Sequence, residues 1–211
     1  MVAARERMVV GQIEARGLSD PLVLNALRAV PREEFVPDAL RARAYEDGPI
    51  EIGEGQTISQ PLIVAYMVAL AKLQGGETVL EVGAGSGYAA AVLGRIALRV
   101  FAIERLQGLA EGAVARLRAI GADNVEIRCG DGTVGWPERA PFDAIIVSAA
   151  APAIPPTLKQ QLKVGGRLIM PVGEHAQTLT RVIRLSENEF EEVALVPVKF
   201  VPLIGAEGFP A

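Results

Sequence analysis

From Glu77 onward the chain alternates short, largely apolar runs with longer stretches of helical character, and this alternation constrains the fold more than any other feature. Strands that are apolar on both faces must be covered on both faces, which requires a parallel sheet with helices packed on either side. The predicted architecture is therefore α/β and doubly wound, with a mostly parallel sheet. Strands are expected at residues 78–82, 100–103, 125–129, 144–147 and 167–170. Helices are expected at 86–96, 106–120 and 156–162, the last followed by a turn at Gly165-Gly166. Beyond Pro171 the alternation stops. Residues 179–185, 190–195 and 198–203 read as consecutive strands, the first two joined by Ser186-Glu187-Asn188, so antiparallel edge strands are expected.

Residues 1–75 differ from the core at 76–211 and read as a helical appendage plus a loop, the whole forming a single domain. Helices are expected at 5–16 and 21–30, with Ser19 or Asp20 as the cap of the second and Pro21 at its first position. Residues 46–61 are rich in Gly, bounded by Pro and lined with hydroxyls; a long irregular segment of this kind is the place to look for substrate chemistry. The net charge of −4 leaves no basic footprint for a nucleic acid. The longest apolar stretch, 61–71, is too short to span a bilayer, and Arg5, Glu6 and Arg7 interrupt any signal-like start. A cytoplasmic monomer with neither nucleic-acid nor membrane partners is expected. With one cysteine and one histidine, Cys129 and His175, disulfide, metal-cluster and Cys/His chemistry drop out. Cys129 is expected to be a small buried group, His175 to sit in a solvated loop, and Trp136 to pack a loop against the sheet.

The strongest local signal is Val79-Leu80-Glu81-Val82-Gly83-Ala84-Gly85-Ser86-Gly87-Tyr88, an apolar strand carrying an acid and then a glycine-rich turn into a helix. Glycines at alternate positions allow a tight turn and let a ligand approach the backbone. A dinucleotide fingerprint would need glycine where Tyr88 stands, and a P-loop would need a following Gly-Lys-Ser/Thr, so the spacing argues against both. Glu104 closes the second strand about twenty residues on, where a carboxylate can accept from both hydroxyls of a ribose. Asp131, in Gly130-Asp131-Gly132, would stand at the same sheet edge and could accept from an adenine amino group. Plainer readings exist for each: a bare strand-to-helix turn for the glycines, a helix-leading acid for Glu104, a turn residue for Asp131.

Taken together, the Glu-x-Gly-x-Gly-x-Gly run and the acids after the second and third strands resemble the Rossmann-like S-adenosylmethionine-dependent methyltransferase fold. Ala44-Tyr45-Glu46-Asp47-Gly48-Pro49-Ile50 followed by Gly55-Gln56-Thr57-Ile58-Ser59-Gln60-Pro61 resembles the signature of protein-L-isoaspartate (D-aspartate) O-methyltransferases. Val30-Pro31-Arg32-Glu33-Glu34-Phe35-Val36-Pro37, Pro141-Phe142-Asp143, Gly165-Gly166-Arg167-Leu168 and Phe200-Val201-Pro202-Leu203 are similar to further family patterns. Lys199 stands where the family more often has arginine, which keeps the charge but not a bidentate fork.

The resemblance implies methyl transfer from S-adenosyl-L-methionine to the free α-carboxylate of L-isoaspartyl residues in damaged proteins and peptides. The ester then collapses unaided to a succinimide whose hydrolysis returns part of it to aspartate. The resemblance also implies Ser59 as the active-site serine, Gln56 and Thr57 near substrate and cofactor, Gly85 and Ser86 at the cofactor's methionine part, and Gly83 in the cofactor site. It places Glu81 towards the ammonium end, with Glu104, Asp131 and Gly132 completing the cofactor site. The loop at 46–61 is expected to cover the cofactor. The chemistry fits: a carboxylate is already ionised at neutral pH, so no general base is needed and Ser59 would orient rather than attack. Ser59 could instead cap a helix beginning near Pro61, and Glu81 could be a strand-end acid satisfied by loop amides. A nucleic-acid amino methyltransferase would carry an Asn/Asp-Pro-Pro-aromatic run where this chain has Ser148-Ala149-Ala150-Ala151-Pro152. The remaining alternatives are another acceptor for the same fold, or a non-catalytic cofactor-binding interaction protein.

Overall fold

The computed structural model describes residues 1–210. Helix α1 (Val2–Met8) runs on through a π-turn at Val9–Ile13 and a 3-10 turn at Glu14–Arg16, so the expected first helix changes its hydrogen-bond pattern midway. Helix α2 (Pro21–Ala29) is capped by Asp20, whose carboxylate accepts from the amides of Leu22 and Val23, which decides between Asp20 and Ser19. The segment expected to be irregular contains an antiparallel hairpin, β1 (Ile50–Gly53) and β2 (Gln56–Ile58). Gly53 and Gly55 flank Glu54 at its tip, all three at positive φ, as a tight reversal requires. Strands of four and three residues are too short to show a period-2 pattern, which is why sequence reading missed them. Helix α3 (Pro61–Leu70) follows, apolar on all sides and largely buried.

The core consists of β3 (Thr78–Val82), α4 (Tyr88–Gly94), β4 (Arg99–Glu104), α5 (Gln107–Ala119), β5 (Val125–Cys129), β6 (Phe142–Val147), α6 (Pro156–Gln160), β7 (Leu162–Val172), β8 (Gln177–Arg184) and β9 (Phe190–Val198). The sheet order is β5-β4-β3-β6-β7-β8-β9, with the first five strands of that order parallel and β8 and β9 antiparallel. This is the expected doubly wound sheet with an antiparallel edge. One face packs on α4, α5 and the N-terminal helices through residues such as Val79, Val100, Leu27 and Val68. The other buries Leu80, Val82, Phe101, Ile145 and Leu168 together with Trp136, whose ring meets Phe101 edge-on at 5.4 Å, as expected for that tryptophan. Each such aliphatic or aromatic burial contributes about 1.5–3 kcal/mol.

Four expectations need correction. Helix α4 begins at Tyr88 rather than Ser86, because Gly83, Gly85 and Gly87 all hold positive φ and keep the chain out of a right-handed helix until then. Strand β7 runs straight through Gly165-Gly166 instead of turning there. Its pairing with β6 slips between Leu162 and Arg167, so the glycines form a bulge. Residues 198–203 are not a third strand: β9 absorbs Val198, and Pro202 then forms only an isolated bridge to Ala150. Cys129 is exposed, not buried, because β5 is an edge strand. His175 is exposed, as expected.

Candidate active site

Strand order reverses between β3 and β6, and in open α/β sheets the crevice beyond the carboxyl ends of the strands at that point is where ligands bind. Gly83 follows β3, Glu104 ends β4, Gly132 lies beyond β5 and Ser148 follows β6. Sequence position alone thus brings four strand ends to one edge. The Gly83–Gly87 turn is pinned there by amides of Gly83 and Ala84 donating to the Ile103 carbonyl at 2.8 and 3.1 Å. Its Gly85 comes close beneath the hairpin, where a Cβ would meet the Ile52 Cδ1 at 3.2 Å. The hairpin therefore covers the glycine turn, and its tip residue Glu54 reaches Gly108 at the start of α5.

Beyond this turn lies a continuous cleft in which Thr57 and Ser148 are common to three adjoining parts. The inner part is lined by Ser59, Glu81, Gly83, Gly85 and Ser86. A second part is lined by Gln56, Glu104, Gly132 and Leu203. The outer, open part is lined by Ser59, Gln60, Ile63, Lys199 and Phe200. Of the residues expected from sequence, Ser59, Gln56, Thr57, Glu81, Gly83, Gly85, Ser86, Glu104 and Gly132 all meet in this cleft. Asp131 stands beside lining residue Gly132 without itself lining the cleft: its carboxylate accepts from the amides of Thr133 and Ala206 and from the Thr133 hydroxyl, tying down the chain near 205–207. These bonds hold its carboxyl below the ordinary range despite partial burial. One acceptor position on Oδ2 remains for a ligand amino group.

The electrostatics of the inner cleft centre on Glu81. In β3 it shares the side of Val79 and is only 1% exposed. Its Oε1 accepts from the Ser148 hydroxyl at a long 3.5 Å, and its Oε2 has no partner. Burial, then the charge of Glu104, push its carboxyl up to about 8, only partly offset by the Ser148 hydroxyl and the Ala90 amide. The backbone group that bears on it is the Ala90 amide in the first turn of α4, not an amide of the glycine turn. Glu104 accepts one amide on each oxygen, from Leu106 at 2.9 Å and Gly85 at 2.8 Å, leaving an acceptor position on each for a pair of hydroxyls. Ser59 is not a helix cap. Gln60 occupies the cap position of α3 and makes no side-chain cap bond, and Ser59, half-buried, lines both the inner and the outer part of the cleft.

Residues 4–208 match the family described as protein-L-isoaspartate(D-aspartate) O-methyltransferase (PCMT). The chain belongs to this family. It is 57% identical over 209 residues to protein-L-isoaspartate O-methyltransferase 1 of Rhodopseudomonas palustris strain HaA2, covering 98% of this chain and 85% of that relative. It is 58% identical over 206 residues to the protein-L-isoaspartate O-methyltransferase of Methylorubrum extorquens strain PA1, covering 97% and 90%. Among solved structures, a protein-L-isoaspartate O-methyltransferase superposes with a TM-score of 0.86 at 30% identity, covering 97% of this chain and 67% of that one. A PCMT chain from Plasmodium falciparum, in complex with S-adenosyl-L-homocysteine, gives 0.81 at 25% identity, covering 93% and 96%.

Two residues of this PCMT family member escaped sequence reading. Ser148 carries no motif, being a lone serine after a strand; its position at the end of β6, beside the switch point, is the signal that marks it. Arg32 was noted only as part of a family pattern, yet it is wholly buried and its guanidinium donates to the Ser59 carbonyl at 2.8 Å.

Proposed function

We propose that this chain transfers the methyl group of S-adenosyl-L-methionine to the free α-carboxylate of L-isoaspartyl residues in damaged proteins and peptides, the first step of their repair. The observation that carries this reading is Ser59 standing where the enclosed part of the cleft, with Glu81, meets the open part, with Lys199. The donor set fits the cofactor: an orphaned, buried Glu81 oxygen suits an ammonium group, and the paired free positions of Glu104 suit ribose hydroxyls. When bound, S-adenosylmethionine supplies an electrophilic methyl group on a sulfonium centre.

The residues have the following roles. Gly83, Gly85 and Ser86 hold the methionine part, and Gln56 and Thr57 close over it from β2. Gly132 and the remaining Asp131 position border the adenine. Ser59 donates its hydroxyl to one oxygen of the substrate carboxylate and so directs the other at the methyl group. No proton has to be removed, because the acceptor is ionised at neutral pH. Positioning is the task, and alignment of this kind can be worth about 7–11 kcal/mol. The hairpin 50–58 excludes water from the junction.

The same reading takes the chain as a single-domain, monomeric, cytoplasmic enzyme acting on short flexible segments, not on nucleic acid or membranes. Among the described residues no helix is long and apolar enough to cross a membrane. The deciding experiment offers radiolabelled S-adenosylmethionine and two synthetic peptides that differ only in an isoaspartyl or an aspartyl linkage. Base-labile label on the isoaspartyl peptide alone is expected. Ser59→Ala is expected to keep S-adenosylhomocysteine affinity and to lose transfer by about 10²-fold, the usual range for one lost orienting donor. Equal labelling of both peptides, or neither, would reject the substrate assignment.

A further inference from the structure

Arg32 is the largest fully buried side chain in the molecule, and among the described residues no carboxylate pairs with it. An unpaired buried guanidinium is expensive, and an apolar side chain of similar volume would cost the fold less. What the cation does instead is specific. Its Nε donates to the Ala44 carbonyl at 2.7 Å and its Nη2 to the Ser59 carbonyl at 2.8 Å, while the guanidinium carbon lies 4.8 Å from the centre of the Tyr88 ring. Tyr88 is the first residue of α4, directly after the glycine turn, and its ring is held edge-on by Phe35 at 5.6 Å. One rigid fork thus ties together the entry to the 44–61 segment, the main chain of Ser59 and the end of the glycine turn. Bidentate geometry fixes both carbonyls relative to each other, which an ammonium on a flexible stem could not do.

We infer that Arg32 is a positioning residue for methyl transfer: it holds the Ser59 backbone at a fixed distance from the glycine turn, so that the Ser59 hydroxyl stays aligned with the acceptor carboxylate. The inference rests on the proposed role of Ser59. It requires Arg32 to act through Ser59, not through the stability of the fold or the affinity for the cofactor.

The test uses the full chain carrying Arg32→Met, which keeps volume and removes the fork, Arg32→Lys, which keeps only the charge, and Arg32→Gln, which keeps a donor. Each is compared with wild type in S-adenosylhomocysteine affinity by calorimetry and in kcat and KM on the isoaspartyl peptide. Expected are S-adenosylhomocysteine affinity within threefold, peptide KM within threefold and kcat lowered at least tenfold in Arg32→Met and Arg32→Lys, with partial recovery in Arg32→Gln. In the double variant Ser59→Ala/Arg32→Met, transfer is expected within about twofold of Ser59→Ala alone, because residues acting as a unit are not additive. Unchanged kcat in Arg32→Met, additive losses in the double variant, or failure of all three Arg32 variants to fold would overturn the inference and leave Arg32 a purely structural residue. If Ser59→Ala keeps full transfer, the reading of Ser59 falls and this inference with it. If Ser59→Ala loses transfer while Arg32→Met keeps it, only this inference falls.

Discussion

Glu81 makes cofactor affinity depend on pH in a way that can be worked out from its surroundings. Its carboxyl, pushed up to about 8 by burial and by Glu104, is mostly protonated at neutral pH in the free protein. An ammonium group seated against it is stabilised only by the ionised form, so binding below that value must expel a proton. Each pH unit below about 8 then costs roughly 1.4 kcal/mol, a factor of ten in Kd. Between pH 6 and 8 the Kd for S-adenosylhomocysteine is therefore expected to tighten by up to about 100-fold and to level off above. Titration calorimetry in two buffers of different ionisation enthalpy measures the proton directly, and close to one proton released per site is expected at pH 7. Glu81→Gln should bind weakly and lose both the slope and the released proton, which separates Glu81 from His175 and the remaining carboxylates. The free protein carries the reverse linkage. A carboxyl whose pKa is raised on folding contributes most below its ordinary value of 4.5, and that contribution is lost as pH rises through about 8. Glu81→Gln is accordingly expected to gain thermal stability over wild type at pH 9 but not at pH 4. A wild-type Kd constant within twofold from pH 6 to 8, or a slope preserved in Glu81→Gln, would refute the assignment.

Two further substitutions probe the turn and the open cleft. At Gly87, φ is +91° and an added Cβ would lie 3.1 Å from the Ala113 Cβ. Gly87→Ala is expected to cost about 1–2 kcal/mol, seen calorimetrically as a Tm lowered by roughly 3–6 °C for a chain of this size; an unchanged Tm would show that the left-handed turn is not needed. Lys199 is exposed on the rim of the open cleft and has no acidic partner among the described residues. Lys199→Met should raise the peptide KM about two- to fivefold, the range of one solvent-screened charge, with cofactor affinity unchanged, and Lys199→Arg should match or exceed wild type. A KM insensitive to the charge at 199 would remove Lys199 from substrate recognition.

The parallel core was legible because its signal is local. Runs such as Val100–Ile103 and Ala144–Val147 are apolar without a break, and only strands covered on both faces need that. The glycine turn was legible for a similar reason: three glycines at alternate positions mark backbone that no other residue adopts cheaply, and Gly83, Gly85 and Gly87 do hold positive φ. The hairpin 50–58 was not legible, since its strands are too short for periodicity and its order comes from Ile50, Ile52 and Ile58 burying beneath it. The exposure of Cys129 is not legible locally because edge or centre is a property of sheet order, and β5 is an edge because it pairs with β4 on one side alone.

For the site, the sequence by itself determined which chemistry was present: Ser59 between Ile58 and Gln60, the acid Glu81 inside an apolar strand, and Glu104 at the close of the next. The two acids follow from residue type and spacing, which a linear chain carries in full, and Ser59 from the resemblance of residues 55–61 to the family signature. Tertiary structure alone decided what each acid has left to offer. Asp131 is largely occupied by Thr133 and by Ala206, 75 residues away; Glu81 keeps a naked buried oxygen; and the Ser59 backbone is held by an arginine 27 positions earlier. Hydrogen-bond saturation and burial depend on neighbours distant in the chain, so no local pattern could have encoded them.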